Sequence, residues 1–376
     1  MIVRSKASIF ELGELANIKT GKLDVNASSP DGAYPFFTCS REPLRIDSYS
    51  YDCECVLVAG NGDLNVKHYS GKFDAYQRTY IVETKDDRIV HIRYLYHFLE
   101  NYLVTLRKLS IGGVIKYIKL ENLTGAKIPL PDLDEQKRIA AILDKADAIR
   151  RKRRQALQLT DDFLRSLFLD MFGDPVTNPK GWEVRKSGEL FSEKPRIGTT
   201  KPANGKGCPV VRVGELGQTR IQLEKCGRVE LDADEFNRFK LLNGDVVIAR
   251  AIGSKKQLGK ASCFQGHAEP VVIDSHVMRL RPEVSLCNPV WFYSFITSTG
   301  GLGLLQKAGG ETAVQFNING KQACSIEVPL PPIPEQTSFE LVWRKVQQSS
   351  FSLMQSLNES ESLFASLQQR AFEGEL

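Results

Sequence analysis

Ile128-Pro-Leu-Pro-Asp-Leu-Asp-Glu-Gln136 returns 200 residues later as Val328-Pro-Leu-Pro-Pro-Ile-Pro-Glu-Gln336. The match extends without a gap from Ile118 to Phe172 and from Ile318 to Phe372. About a dozen identities fall in about 55 aligned positions, where ordinary composition gives roughly three. They include Lys145, Gln155, Leu157, Ser166 and Leu167 against Lys345, Gln355, Leu357, Ser366 and Leu367. A chain built twice around a pseudo-twofold axis is suited to reading something that itself comes in two parts.

Each copy reads as one long helix. Asp132 and Glu135 have the spacing of a capping box, and the prolines just upstream hold the entering chain extended. Pro334 falls in the first turn of the second copy, where a missing N–H costs nothing. Gly173 and Gly374 stand where a helix C-terminal glycine belongs. Ile139, Ile142, Ala146, Ile149, Ala156, Phe163 and Leu167 follow three- and four-residue steps, the seam of a coiled coil. Phe339, Val342, Val346, Leu353, Leu363 and Leu367 repeat the phase. Arg153, Thr160, Ser349, Ser356 and Ser360 interrupt both seams, so the helices are expected to pack on each other. Connectivity then predicts an antiparallel rod with a globular domain at each end. About 39 residues give a rod of roughly 58 Å, against about 34 Å between DNA half-sites one helical turn apart.

The stretches outside the helices carry short β-branched and aromatic runs punctuated by Gly, Asn, Asp and Pro, as mixed α/β domains do. In the first, strands are expected at Cys55–Val58 and Thr79–Val82 and a helix at Ile92–Leu106. In the second, strands are expected at Val210–Val213, Val246–Ala249 and Val271–Ile273, and a helix at Pro289–Ile296. Glu54–Gly62 can be laid over Asp245–Gly253, and Gly13-Glu14-Leu15 over Gly188-Glu189-Leu190. The fold class is therefore α/β (α+β). Two mixed α/β domains, residues 1–128 and 175–328, are diverged copies of one fold, each followed by a helix, residues 129–174 and 329–376.

A length of 376 residues with 42% hydrophobic content is enough for two or three domain cores. The net charge of +5 is mildly basic and permits a polyanion partner without demanding one. Eight cysteines and five histidines show no zinc-ligand spacing, and free cytosolic thiols are the expectation. Met1-Ile-Val-Arg-Ser-Lys6 lacks the apolar core of a secretory signal and no run reaches membrane-span length, so a cytoplasmic location is expected.

With these motifs and this order of parts, the chain resembles the specificity subunit of a type I DNA restriction-modification enzyme. That family is built as target recognition domain, helix, second target recognition domain, second helix. Leu164-Arg-Ser-Leu-Phe-Leu-Asp-Met-Phe-Gly173 and Phe364-Ala-Ser-Leu-Gln-Gln-Arg-Ala-Phe372 are typical helix ends. Tyr34-Pro-Phe-Phe-Thr-Cys-Ser40, Ala59-Gly-Asn-Gly62 and Gly71–Tyr80 resemble a common variety of recognition domain, from which the second domain departs. The resemblance implies a non-catalytic subunit whose two domains each read half of a bipartite, asymmetric double-stranded DNA target. The helices would fix the spacer and dock two modification (adenine-N6 methyltransferase) subunits, with restriction subunits joining the full complex. No cofactor is expected on this chain; S-adenosylmethionine, ATP and Mg²⁺ are expected on the partner subunits.

The residues agree on the negative side. Asn178-Pro179-Lys180 and Asn288-Pro289-Val290 lack the second proline and the aromatic of an amino-methyltransferase motif. Gly300-Gly301-Leu302-Gly303 follows a helix pattern where a cofactor loop would follow a strand. Gly253-Ser-Lys-Lys-Gln-Leu-Gly259-Lys260 has one residue too many for a P-loop. Asp63 with Glu83-Thr84-Lys85 imitates a nuclease core, a pattern that arises by composition. Two other readings compete: a self-contained methyltransferase or nuclease, separable by incubating the chain alone with DNA and cofactors, and a coiled-coil scaffold without DNA contact, separable by a salt-dependent DNA shift.

Base readout needs Arg, Lys, Asn or Gln on loops. The candidates are Arg41, Arg45, Asn61, Lys67, Lys72, Gln77 and Arg78 in the first domain, and Arg196, Lys201, Arg250, Lys255, Lys256 and Lys260 in the second. Each has a plain surface or anchoring role as its alternative. Pro129, Pro131, Glu135, Gln136, Pro329, Pro331, Glu335 and Gln336 are the helix-start and partner-docking candidates. Arg150-Arg-Lys-Arg-Arg154 wraps a whole helix circumference and reads mainly as a solvated or partner-facing stretch.

Overall fold

A computed structural model describes residues 7–217, 220–252, 259–311 and 316–376. The chain divides into two compact units, Met1–Gln155 with Met354–Leu376, and Ala156–Leu353. Both are mixed α/β.

In the first unit, β1 (Ser8–Glu11), α1 (Leu12–Leu15), β2 (Ala16–Thr20), β3 (Tyr34–Phe37), β4 (Leu44–Ile46), β5 (Tyr51–Ala59), β6 (Val66–Ala75) and β7 (Thr79–Thr84) precede α2 (Ile92–Leu109). Then follow α3 (Glu121–Thr124), β8 (Lys127–Leu130) and the long α4 (Leu133–Phe172), which belongs to this unit as far as Gln155. The main sheet runs β2-β7-β5-β6-β3-β4. Cys55, Val56, Leu57, Val58 and Ala59 of β5 are all buried, which explains the unbroken apolar run. Val56 and Val58 share a core with Tyr94, Leu95 and Leu99 of α2, while Cys55 and Leu57 pack with Phe37, Phe73 and Ile81. A separate ribbon pairs β1 with β8, Ile9 opposite Pro129.

The second unit repeats this plan with β9 (Glu183–Lys186), β10 (Phe191–Ile197), β11 (Cys208–Val211), β12 (Gly227–Val229), α5 (Ala233–Phe239), β13 (Val246–Ala249), β14 (Ala251–Ile252), β15 (Ala261–Cys263), β16 (Val272–Ile273) and β17 (Val277–Pro282). Next come α6 (Pro289–Thr297), α7 (Thr299–Ala308), β18 (Gly310–Glu311), β19 (Phe316–Asn317), α8 (Gly320–Cys324), β20 (Glu327–Leu330) and α9 (Ile333–Glu373), which belongs to this unit as far as Leu353. Here β20 pairs with β9, Pro329 opposite Val184.

The likeness of the two units rests on particular atoms. A Cβ on Gly13 would stand 3.1 Å from the Thr124 Cβ, and one on Gly188 2.8 Å from the Cys324 Cβ, which accounts for the shared Gly-Glu-Leu. A Cβ on Gly21 would fall 2.1 Å from the Ala75 carbonyl oxygen and one on Gly198 1.9 Å from that of Ile273. Only glycine lets these strands cross. The overlay of Glu54–Gly62 on Asp245–Gly253, however, is out by one residue. Ala59 pairs with Thr79 as Ala249 pairs with Val277, and Gly60 and Arg250 make the same bonds, accepting from the N–H groups of Ile118 and Ile318 at 2.9 Å. In a strand a one-residue slip exchanges the faces, and nine weakly similar residues do not contain enough information to fix it.

The first long helix starts as its capping residues predict, with the Asp132 carboxylate accepting the Glu135 N–H at 2.9 Å, and Pro334 lies in the first turn of the second. The two glutamines of the repeat do more. The Gln136 side chain accepts the His91 N–H and donates to the carbonyls of Ile89 and Pro131, all at 2.9 Å. Gln336 accepts the Asn288 N–H at 2.7 Å and donates to Pro331 at 2.7 Å and Leu286 at 3.4 Å. Each is 0% exposed. Gln136 and Gln336 therefore cannot touch a partner; they bolt each long helix to the start of the preceding domain helix. Pro329 and Pro331 are buried as well.

Within the first unit the start of α4 and the end of α9 run antiparallel: Arg138 donates to the Leu376 carbonyl at 2.8 Å, Arg150 covers the Phe364 ring at 3.8 Å, and Arg153 donates to the Ser356 carbonyl at 2.7 Å. Arg153 also meets Ser360, so residues that interrupt one seam satisfy those that interrupt the other. Most positions of both predicted seams are buried or half-buried, but three are displaced by one residue. Ile149, Phe163 and Leu363 are 42%, 49% and 58% exposed, and the buried positions are Leu143, Leu164, Leu357 and Phe364. Steps of three and of four both stay on one helix face, so an apolar residue on the flank fits the pattern as well as its buried neighbour.

Beside an apolar core of Leu95, Leu143 and Phe364, the interface carries charge. Fully buried His97 of α2 bonds Asp144 of α4 at 2.8 Å, and Arg93 pairs with the same carboxylate. Arg150 reaches Glu100 at 2.9 Å and Asp147 at 2.6 Å, and Gln368 donates to Glu100 at 3.2 Å. Burial works to raise the Glu100 and Asp144 carboxyls, but His97 with Arg150, and Arg93 with His97, outweigh it and leave both below their ordinary values. A carboxylate with a depressed folded pKa contributes stability above its unfolded value, lost as pH falls through the folded one. The unfolding temperature should therefore drop as pH falls below about 4.5. Glu100→Gln should flatten that dependence in a melting series from pH 6 to 3; an unaltered slope would show that the network does not govern acid stability.

Candidate nucleic-acid interface

In the first unit four loops meet where β5 ends and β7 begins. Gly60 donates to the Arg78 carbonyl at 2.8 Å, and Gly62 to that of Lys116 at 2.9 Å. Asn65 donates to the Cys39 carbonyl at 2.8 Å, and Arg107 to that of Leu64 at 2.9 Å. These bonds gather Arg41, Asn61, Lys67, Gln77 and Arg78 with Arg107 and Lys116, which sequence reasoning passed over. Thr20, Gly60, Gln77, Arg78, Tyr80 and Ile118 line a cleft of about 300 Å3 among them. Cationic side chains and amides around a concave surface can hold phosphates and reach base edges.

Several of the gathered cations are already engaged. Arg41 bonds Asp63 at 3.0 Å, although 72% of its side chain is exposed. Lys67 donates to Asn65, and burial pulls its ammonium down to about 8. Gln77 and Arg78 are exposed, and Asn61 partly so, bridged to Tyr117. The structure does not bring Arg45 or Lys72 into this bonded group. Arg45 is tied to the carbonyls of Gly32 and Ala33, and Lys72 lies 4.7 Å from the Tyr49 ring centre.

The second unit has a cleft of about 420 Å3 at the equivalent place, lined by Arg212, Val213, Gly214, Ala251, Asp274 and His276. Arg250 is the main correction. Its guanidinium donates to the Ile318 and Ser275 carbonyls at 3.2 and 3.1 Å and to Asn317 at 2.7 Å. It is thus an anchor, standing where the first unit has Gly60. Lys260 reaches the Val213 carbonyl at 3.4 Å, Lys201 pairs with Glu235 at 2.5 Å, and Arg196 is exposed on β10. Lys255 and Lys256 lie outside the described residues. Arg212 and His276 had no sequence signal, since only the pairing of strands brings them together.

The motifs discounted from sequence have other work. Asn288 caps α6, accepting from the N–H groups of Val290 and Trp291 at 2.9 and 3.1 Å. Asn178 closes a turn with Trp182. Gly301 lies in α7 where a Cβ would come 1.9 Å from the Phe295 carbonyl oxygen. Glu83 pairs with Lys19 at 2.5 Å, and Lys85 donates to the Gly13 carbonyl at 2.7 Å. Asp63, Glu83 and Lys85 are thus each bound to a different partner. No helix among the described residues is long and apolar enough to cross a membrane.

Residues 5–159 match the type I restriction modification DNA specificity domain. The chain is 35% identical over 185 residues to the type I restriction enzyme EcoDI specificity subunit of Escherichia coli, covering 48% of this chain and 40% of that one. It is 24% identical over 315 residues to the StySPI specificity subunit of Salmonella potsdam, 78% of this chain and 67% of that one. The matches thus span under half of the first relative and about two thirds of the second. The fold is shared with the S subunit of a type I restriction-modification system from M. genitalium, at a TM-score of 0.64 and 15% identity over 99% of this chain and 98% of that one.

Proposed function

We propose, from a chain that carries the type I restriction modification DNA specificity domain and shares the specificity-subunit fold, that it is the DNA-reading subunit of a cytoplasmic type I system. Each domain reads one half of a bipartite double-stranded target. The observation that carries this reading is the repeated cleft at the strand ends, edged by Arg78 in one domain and His276 in the other. Two related but unlike clefts suit an asymmetric target.

The long helices, in this reading, set the spacer and dock two modification subunits, with restriction subunits joining them. The exposed flank supports a protein partner: Ile149 and Leu363 in the first unit and Phe163 in the second are large apolar side chains left in water beside a closed seam. Chemistry belongs to the partners, which hold S-adenosylmethionine, ATP and Mg²⁺.

The test compares the purified chain with the chain assembled on its modification subunits. The motif is read first, by sequencing methylated DNA from cells that express both. Only the assembly is expected to methylate a duplex carrying that motif, and its affinity should fall steeply with salt, as phosphate contacts require. Methylation by the rigorously purified chain alone would return the self-contained enzyme to first place.

A further inference from the structure

The loop between α2 and α3 has an unusual tip. Ile111, Gly112, Gly113, Val114, Ile115 and Lys116 are exposed one after another, with Ile111, Val114 and Ile115 at 43%, 103% and 62%. Single exposed apolar side chains are ordinary, but three on one tip are not. The tip has a defined shape. Ile111 and Tyr117 exchange both backbone bonds, at 3.0 and 2.9 Å. Gly112 has φ +110°, and a Cβ there would lie 2.5 Å from the Ile115 carbonyl oxygen, so the turn admits only glycine. The Gly62 N–H on the Lys116 carbonyl and the Ile118 N–H on the Gly60 carbonyl, both 2.9 Å, fasten its base to the cleft.

What could cover this tip is limited by its neighbours. Arg107 and Lys108 end α2, and exposed Lys116 completes the tip. The nearby carboxylate, Asp63, is held by Arg41 at 3.0 Å and lies 3.9 Å from Arg107. The surroundings therefore favour a polyanion. On duplex DNA the major groove offers one apolar group on base edges, the thymine 5-methyl. Of the polar candidates around this cleft, Arg41 and Lys67 are engaged within the protein, while Gln77 and Arg78 are exposed.

We propose that the Ile111–Lys116 tip enters the major groove of the half-site read by the first domain, where Val114 and Ile115 pack on thymine methyl groups. The domain then selects A·T pairs there by apolar contact, while Lys116 holds a phosphate. This rests on the reading of the chain as a duplex-DNA binder.

The experiment uses the assembly with modification subunits and a duplex carrying the motif found by methylated-DNA sequencing. Thymines of the first domain's half-site are replaced singly by deoxyuridine, which lacks only the methyl. One or two positions should lose about 3–5-fold in affinity, the size expected of one buried methyl. Val114→Ser with Ile115→Ser should weaken binding to the thymine duplex and erase the thymine–uracil difference, with the salt slope kept. Lys116→Ala should instead lower the salt slope by about one and keep that difference. Equal binding of all uracil duplexes by the wild type overturns the proposal, as does a double variant that retains the full difference. A double variant that sheds its modification subunits also overturns it, since a protein would then cover the tip. Failure of the DNA-binding reading looks different: the wild-type assembly would not distinguish the motif duplex from a scrambled one.

Discussion

Arg150→Ala is expected to lower the stability of the first unit by about 3–5 kcal/mol, the usual cost of removing one partner from a buried ion pair. The Arg150 side chain is 17% exposed, and it faces Glu100 at 21% and Asp147 at 3%. Its loss leaves Glu100 with His97 and Gln368, and Asp147 with the more exposed Arg151. It also strips the Phe364 face of its cation. Since these groups join α2, α4 and α9, the end of α9 should exchange its amide hydrogens sooner in the variant, while amides of β13 and β17 keep their protection. Arg151→Ala, at a side chain 62% exposed, should cost under about 1 kcal/mol. Similar losses in the two variants would show that Arg150 holds nothing that Arg151 does not.

That result would also separate two readings of Arg150-Arg-Lys-Arg-Arg154. From sequence the run is a solvated or partner-facing band, because it circles the helix. In the fold Arg150, Arg153 and Arg154 each meet α9, through the Phe364 ring, the Ser356 carbonyl and Glu361. Their partners lie about 200 residues away, and no local pattern announces them. What the sequence made legible was local. Capping residues placed the first helix start and Pro334 the second, unbroken apolar runs placed β5 and β13, and the 200-residue repeat tied the two halves together. Distance-dependent features were less visible. Most of the seam was legible, and three positions missed by one residue, since Ile149 looks like a better core residue than Arg150, and Phe163 and Leu363 fit the pattern as well as Leu164 and Phe364 do. Among the readout candidates, Arg41 and Arg250 have the same chemistry in sequence, yet one is exposed and the other is an internal anchor. Lys116 and the Ile111–Ile115 tip drew no notice, because exposure follows from where the Ile111–Tyr117 bridge closes the loop.

Replacing residues 1–128 by the corresponding domain of a relative should change one half of the methylated motif and leave the other intact. The junction favours this outcome. Gln136 binds the domain only through backbone groups, the His91 N–H and the Ile89 carbonyl, and Gln336 uses the Asn288 N–H and the Leu286 carbonyl in the same way. Any domain that presents that turn can receive the bolt, whatever its side chains. The β1–β8 ribbon crosses the junction, with Ser8 opposite Leu130, so the donor must bring its own first strand. One charged side-chain set does not transfer, beside the packing of Tyr94 and Phe98 on Phe372: Arg93, His97 and Glu100 of α2 meet Asp144 and Arg150. A donor lacking these should give a less stable protein with the specificity still exchanged. Restoring the three residues in the donor helix should recover stability without moving the motif. Discrimination against a wrong base pair is worth about 1–3 kcal/mol at each position. A half-site changed at more than one pair therefore shifts the preferred sequence by orders of magnitude, a change that methylated-DNA sequencing reads directly. If both halves of the motif change together, the domains do not read independently and the modular account is wrong.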